Sequence, residues 1–403
     1  MRLLSYACQN YKPFKKRVEV KLRPLTLVYG RNSSGKSALV RLPRLILRAI
    51  SQRANSVMPL QVDELSYGRH FIDLLHGREA HGEAGFSISI VDEEQSLIVN
   101  AKIQNIIDDV SDPGSPREYA VVSRLDLVAS QEQSFVWNRN RGVASYEGMT
   151  GVEFRGLLPD AIGNTDQDFS EVREWRDRVR DFEIFIEHLG PHRAEVRPIY
   201  ETSHSQSLGL DGEGAPRRLI ANGMMLEQVG AWFQEHLDGW RLTVEQNGNA
   251  FACVIARGST RVNLADAGQG MQQVLPIIIQ QISRQLGCRG PFLDIVEQPE
   301  LHLHTAAQAP LGDLFLDTAT MGVGQLIVET HSENILLRVR RRIAEGRVAP
   351  DLVGVYWVED LEDGTSEVRE IKISRTGELD WWRPGVFSEG YEEVRAIRRA
   401  GRA

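Results

Sequence analysis

The octapeptide Gly30-Arg31-Asn32-Ser33-Ser34-Gly35-Lys36-Ser37 constrains this chain more than any other stretch of it. It fills every fixed position of the pattern GxxxxGK[ST], and it stands where such a loop has a physical use. Before it runs Leu25-Thr26-Leu27-Val28-Tyr29, apolar enough for a strand buried on both faces. After it, Leu39, Leu42, Leu45, Ile46 and Ala49 recur at helical spacing, which predicts a helix over 37–50. A strand, a glycine-bent loop and a helix N-terminus in succession turn backbone N–H groups onto an anion. Lys36 then neutralises phosphate charge and the Ser37 hydroxyl ligates Mg²⁺. All eight residues, Gly30, Arg31, Asn32, Ser33, Ser34, Gly35, Lys36 and Ser37, are assigned to a nucleoside triphosphate. A glycine-rich turn that binds nothing is the alternative, and the complete motif in this setting disfavours it.

Beyond the loop the chain changes character twice. Val18 to Leu22 alternates like a half-exposed strand, and Phe86–Val91 with Ser96–Ile103 predict an antiparallel pair about the turn Asp92-Glu93-Glu94. Asp108 to Arg117 and the glycine-rich Ser203 to Pro216 are expected as loops, the second a mobile surface one, and Ser170 to Leu189 as one helix with Ser170 as N-cap and Gly190-Pro191 as its stop. Leu226–Leu237 is expected as a helix, Trp240–Glu245 and Phe251–Ile255 as strands. From Gly270 onward helical and strand patterns alternate: 270–286, 291–296, 306–318, 325–329, 332–345 and 352–358. The fold class expected is α/β: a parallel sheet flanked by helices, with an antiparallel β-subdomain and a mixed insertion. Four segments follow, 1–104 and 226–346 as the two parts of the core, 105–225 as the insertion and 347–403 as an extension.

Two buried strands end in polar residues. Phe292-Leu293-Asp294-Ile295-Val296 runs into Glu297-Gln298-Pro299-Glu300, and a carboxylate at such a strand end is what a second Mg²⁺ contact opposite Ser37 requires. Glu297 is the choice, with Asp294 facing the other way. Glu300 is read either as a substitute general base or as a structural carboxylate. Gln325 to Ser332 ends in Glu329-Thr330-His331-Ser332, which places His331 at the same sheet edge as a phosphate sensor. His302 and His304 beside Glu300 lack a partner at metal-ligand spacing, so zinc is disfavoured.

The formal charge of −8 gives no overall pull toward nucleic acid. The basic clusters at Lys12, Lys15, Lys16 and Arg17, and at Arg338, Arg340, Arg341 and Arg342, read first as solvated charge. Cys8, Cys253 and Cys288 are too scattered for a disulfide framework. No run reaches the ~18 apolar residues of a membrane span and no leader is evident, so a cytoplasmic protein without membrane contact is expected.

Asp266-Ala267-Gly268-Gln269-Gly270-Met271 is a glycine-rich turn opening a helix, weak evidence alone. In order with Gly30–Ser37, Glu297 and His331, it resembles the signature segment of ABC-type ATPases. Asn10–Phe14, Leu189-Gly190-Pro191-His192-Arg193, Glu297–His304 and Glu329–Ser332 add a resemblance to AAA-type ATPases of the overcoming-lysogenisation-defect and SMC-like class. Val328–Gly346 and Trp381–Glu393 resemble a domain of unknown function that accompanies this ATPase in bacteria. The resemblance implies ATP and Mg²⁺ as ligands and a homodimer or higher homo-oligomer in which Gly268, Gln269 and Gly270 meet the partner copy's γ-phosphate. It puts Gln298 in the slot that usually carries the water-activating glutamate, which implies slow hydrolysis, and it counts Glu297, Gln298, Glu300 and His331 as the catalytic set. No Toprim nuclease domain and no coiled coil are recognisable. The implied role is therefore an ATPase subunit of an anti-phage or DNA-related system, with a separately encoded nuclease or toxin as effector and DNA as a further possible partner. Two other readings are an ATP-regulated nuclease, built from Asp63, Glu64, Asp73 and His76 with Glu300, His302 and His304, and a nucleotide-bound scaffold that never turns over.

Overall fold

The computed structural model describes residues 1–51, 56–108, 117–138, 145–147, 149–162, 170–202, 207–287, 290–387, 395 and 397–398. At its centre is a six-stranded sheet in the order Ile186–Leu189, Phe292–Glu297, Gly324–Glu329, Leu25–Gly30, Val353–Asp360, Ser366–Ile371. The first five strands are parallel and the last returns antiparallel. All three central strands are buried at every residue, as expected of a parallel sheet covered on both faces.

Side-chain alternation divides the two cores. Val28, Leu293, Ile295, Ile327 and Val358 face the helix Lys36–Ser51 and a second sheet. Leu27, Tyr29, Val296, Val328 and Trp357 face the helices Gly223–His236, Gln269–Gly287, Thr305–Thr320 and Glu333–Ala344. The second sheet is antiparallel, in the order Val18–Lys21, Arg2–Gln9, Glu83–Asp92, Gln95–Asp108, Arg117–Val128, Glu132–Val136. Gln325 ties the two sheets together: its side chain accepts from Leu3 N and donates to Leu3 O, both at 2.8 Å. A smaller antiparallel group, Arg241–Asn247, Ala250–Arg257 and Thr260–Asn263, leads into the helix Gln269–Gly287.

Three expectations need correction. Ser170–Leu189 is not one helix: the helix is Ser170–Glu183, and Ile186–Leu189 is the edge strand of the central sheet. Val172, Trp175, Val179 and Phe182 keep the helical stripe, then the exposed Ile184 and Phe185 break it. Within the expected mobile loop 203–216, residues 207–214 are packed: Leu208 is buried, Gly190 N donates to Leu210 O at 2.8 Å, and Ala215–Ile220 is a short helix. Residues 347–403, expected as an extension, supply two strands of the central sheet, one of them the direct neighbour of Leu25–Gly30. Of the loop expected at 108–117, residues 109–116 lie outside the described residues, as does Cys288, while Asp108 and Arg117 end the flanking strands and Cys8 and Cys253 are buried and free. No helix among the described residues is long and apolar enough to cross a membrane.

Candidate nucleotide site

The phosphate loop leaves the strand Leu25–Gly30 at the carboxyl edge of the sheet and enters the helix at Lys36. Its backbone is bent into conformations that only certain residues accept: φ is +98° at Gly35 and +63° at Ser33. A Cβ on Gly35 would run into the Pro13 and Phe14 rings, so the loop is a close-walled cradle. Arg31, Asn32 and Ser33 are exposed at its rim, whereas Ser34 and Lys36 are buried. Lys36 Nζ donates to Arg31 O at 2.6 Å. Burial holds the Lys36 ammonium below its ordinary range, against the pull of Glu329, Glu300 and Asp360.

Two glutamates stand side by side at the same edge, because Glu297 and Glu329 are partners in the parallel register. Glu297 is 1% exposed and fully engaged: Arg41 Nε and Nη2 donate to its two oxygens at 2.7 Å each, and His188 Nε2 lies 2.7 Å from Oε1. Burial keeps His188 neutral, so it donates to Glu297 as a neutral imidazole and Arg41 supplies the charge. Burial alone would raise the Glu297 carboxyl; the hydrogen bonds from His188 and Arg41 overcome it and hold the group below its usual range. Glu329 instead accepts from Ser37 Oγ at 3.1 Å, and its other oxygen is buried without a partner. Burial and the neighbouring Glu297 push its carboxyl up to about 7. Asp294 lies on the opposite face, held by Arg284 at 2.7 Å.

The turn after Glu297 is tightly knit. Gln298 has φ +45° and its N–H donates to Glu329 O at 2.7 Å. Glu300 accepts from Thr330 Oγ1 at 2.7 Å and from His331 N at 2.5 Å, so it clamps this turn to the end of the next strand. His331 Nε2 is buried without a partner, and burial, then Lys36, pulls its imidazole down to about 4. Arg193, 6% exposed, donates to the Glu297 and Gln298 carbonyls at 2.6 and 3.2 Å, while its own carbonyl accepts from Gln273 on the helix Gln269–Gly287. Gly268 and Gln269 are exposed at that helix's N-terminus, and a Cβ on Gly268 would meet nothing within 4 Å. Gly270 packs on the His302 carbonyl, 2.5 Å from where its Cβ would sit.

The structure thus gathers Gly30–Ser37, Glu297, Gln298, Glu300 and His331 at one edge and leaves Gly268, Gln269 and Gly270 on a separate, open turn. Sequence reasoning gave no role to Arg41, His188, Arg193 or Glu329. Arg41 was within reach, since it follows Ser37 by four residues on one helix face. The other carboxylates are spent locally: Asp63 on Arg48 at 3.3 Å, Glu64 on Leu210 N at 3.1 Å, and Asp73 on Arg69 N at 2.9 Å. His76 Nδ1 meets Lys12 O at 2.9 Å, and His304 caps its helix through Ala306 N at 3.3 Å. Among the described residues no three His, Cys, Asp or Glu side chains are grouped to hold a metal ion. Tyr11 and Phe14 are both fully buried in the core, Tyr11 edge-on to Phe86. Of the later arginines, Arg338 and Arg342 both pair with Asp313.

The family model described as "AAA domain, putative AbiEii toxin, Type IV TA system" matches residues 25–338. No curated protein matches the chain. Solved structures similar to it include the SMC head domain from Thermotoga maritima, with TM-score 0.45, 11% identity, and 93% of this chain and 100% of that one covered. Another is an SmcHead bound to the C-winged helix domain of ScpA, with TM-score 0.49, 12% identity and coverage of 92% and 98%. A third is the Smc head domain with an extended coiled coil bound to the C-terminal domain of ScpA, derived from Pyrococcus furiosus, with TM-score 0.45, 10% identity and coverage of 98% and 99%.

Proposed function

This chain belongs to that AAA-domain family of ABC-like ATPases, and we propose that it binds Mg-ATP, hydrolyses it slowly and works as a dimeric, ATP-gated switch. The observation that carries the reading is the convergence of unsatisfied polar groups on a glycine-walled cradle. Ser34 Oγ, Glu329 Oε2 and His331 Nε2 are buried without partners around it. Orphaned buried groups are costly, and a triphosphate with its cation would satisfy them. The residues therefore fit the group: the loop N–H groups and Lys36 would hold phosphate oxygens, Ser37 and a strand-end carboxylate would hold Mg²⁺, and His331 would face the terminal phosphate. Mg²⁺ would supply charge neutralisation of the phosphates.

Gln298 can orient a water but cannot take its proton, and Glu300 is already spent on Thr330 and His331. General-base help is worth ~10²–10⁴ in rate, so a site without it holds ATP for long periods. The exposed turn at Gly268-Gln269 supports the dimer, because a helix N-terminus open to solvent can receive a phosphate held by another copy. The family's printed description, "putative AbiEii toxin, Type IV TA system", supports a place for relatives of this chain in such systems; the proposed role as a subunit of an anti-phage or DNA-related system with a separately encoded effector rests on the resemblance of its motifs alone. Sedimentation of the purified protein with and without Mg-ATP tests the switch. A monomer that becomes a dimer only with Mg-ATP, and not in Lys36→Ala, is expected. A wild-type protein that stays monomeric with ATP bound would overturn the dimer reading.

A further inference from the structure

We propose that the cavity floored by Arg193 is a second anion site, separate from the phosphate loop, and that it binds a small oxyanion, a phosphate or a carboxylate group. The cavity holds about 350 Å³ between the turn 191–196, the start of the helix Gln269–Gly287 and the turn at Leu301-His302. Arg193 and Val196 are buried at its floor, while His192, Glu195 and His302 are exposed at its mouth. No residue of the phosphate loop lines it. The inference therefore stands apart from the Mg-ATP reading.

The balance of buried charge singles this arginine out. Among the described residues Arg176, Arg193 and Arg284 are the buried arginines. Arg176 pairs with Asp160, and Arg284 with Asp294 at 2.7 Å. Arg193 instead spends Nη2 on two neutral groups, the Glu297 and Gln298 carbonyls. A guanidinium carries five N–H groups, so the one on Nε and the two on Nη1 are left over. Both of those nitrogens are buried without a partner. The carboxylates whose charges act on Arg193 are Glu300 and Glu297. Glu300 is engaged by Thr330 and His331, and Glu297 by Arg41 and His188. A buried charge with no counter-charge of its own is strongly unfavourable, and an anion in the cavity supplies one.

The surroundings set the class of ligand. Gln272 donates to the Ala265 and Ala267 carbonyls at 3.1 and 2.9 Å, and Gln273 to Arg193 O at 2.9 Å. These amides brace the walls and leave the free guanidinium donors uncontested. Such donors form charge-assisted hydrogen bonds to the oxygens of carboxylate and phosphate, which a guanidinium matches in shape. The first turn of the helix Gln269–Gly287 adds its partial positive charge from the same side. Glu195 brings a carboxylate to the lining, but at the exposed mouth, where it favours a small anion over an extended polyanion. Because Nη2 of the same guanidinium holds the Glu297 and Gln298 carbonyls, an occupied cavity also braces the turn that borders the nucleotide site.

The test titrates inorganic phosphate into the nucleotide-free full chain by calorimetry and compares thermal unfolding in phosphate and in chloride at equal ionic strength. Wild-type protein is expected to bind phosphate and to unfold at a higher temperature in it than in chloride. Lys36→Ala, which disables the phosphate loop, is expected to keep this binding. Adding Arg193→Met to Lys36→Ala is expected to weaken it roughly tenfold or more, the loss of one charge-assisted hydrogen bond. His192→Glu leaves Arg193 in place and brings a competing carboxylate to the mouth, so it is also expected to weaken phosphate binding. Circular dichroism confirms the fold of each variant, and where Arg193→Met does not fold, His192→Glu decides. Acetate in place of phosphate separates the two ligand sources: a response to both assigns the site to oxyanions at large, a response to phosphate alone to phosphate groups. An equal response to chloride would overturn the proposal. So would binding that disappears in Lys36→Ala but survives in Arg193→Met, or binding that His192→Glu leaves unchanged. These readouts need no ATP, so a failure of the Mg-ATP reading would show separately, in nucleotide binding.

Discussion

Arg41→Met removes the only formal charge hydrogen-bonded to the Glu297 carboxylate among the described residues and leaves a methionine of similar length in its place. Glu297 is 1% exposed and its remaining partner, His188, is held neutral, so the carboxylate would be left buried and uncompensated. Breaking a buried pair from one side costs about 3–5 kcal/mol. With a urea slope of about 3 kcal/mol per M, the unfolding midpoint should fall by about 1–1.7 M. The loss should depend on pH in a definite direction. In the wild type the Glu297 carboxyl is held low, so its stabilisation is present above the unfolded value and fades as pH falls. In the variant only the His188 hydrogen bond still opposes burial, so the carboxyl moves up from its wild-type position, and stability is greatest at low pH and declines as pH rises toward the new value. The difference between the two proteins therefore widens as pH rises above the unfolded carboxyl range of about 4. Adding Glu297→Gln to Arg41→Met should recover most of the loss, because no buried charge then remains. A midpoint within about 0.3 M of wild type (about 1 kcal/mol at that slope), or no recovery in the double variant, would refute the account.

Gln298→Glu should raise steady-state phosphate release by roughly 10²-fold, the lower end of general-base help; an unchanged rate would remove Gln298 from the water-activating slot. Gly35→Ala forces a side chain onto φ +98° and into the Pro13 and Phe14 rings. Strain and overpacking together should cost about 2–5 kcal/mol and abolish nucleotide binding by calorimetric titration. Asp313 is half-buried, which alone would raise its carboxyl, but hydrogen bonds from Arg342 and Arg338 hold it below the usual range. Asp313→Asn should cost about 1–2 kcal/mol near neutrality. That deficit should shrink as pH falls below about 4, where the unfolded carboxyl takes up its proton before the native one does, and thermal unfolding at pH 7 and pH 3.5 would show it.

What could be read from the sequence was whatever is encoded locally. The phosphate loop, its strand and its helix were legible because glycine spacing and apolar periodicity act over a dozen residues. The helix end at Glu183 was not, because His188 and Leu189 are buried by strand pairing with residues more than a hundred positions away. The side-by-side placement of Glu297 and Glu329 was illegible for a related reason. Both end apolar strands, and only the strand order, a property of the assembled sheet, decides which one borders the loop. Arg193 was noticed only within a motif; its bonds to the Glu297 and Gln298 carbonyls join segments about a hundred residues apart.

The strand order also sets a timetable for synthesis. Leu25–Gly30 is made well before its two sheet neighbours, Gly324–Glu329 and Val353–Asp360, which follow it by about three hundred residues. At 5–20 residues per second that interval is about 15–60 s, during which a strand apolar along its whole length has no sheet to join. A ribosome-bound chain therefore carries an unpaired, aggregation-prone edge through that interval, and its phosphate loop forms only as those two strands emerge. Folding factors that shield nascent apolar strands should accordingly engage this chain early and release it late.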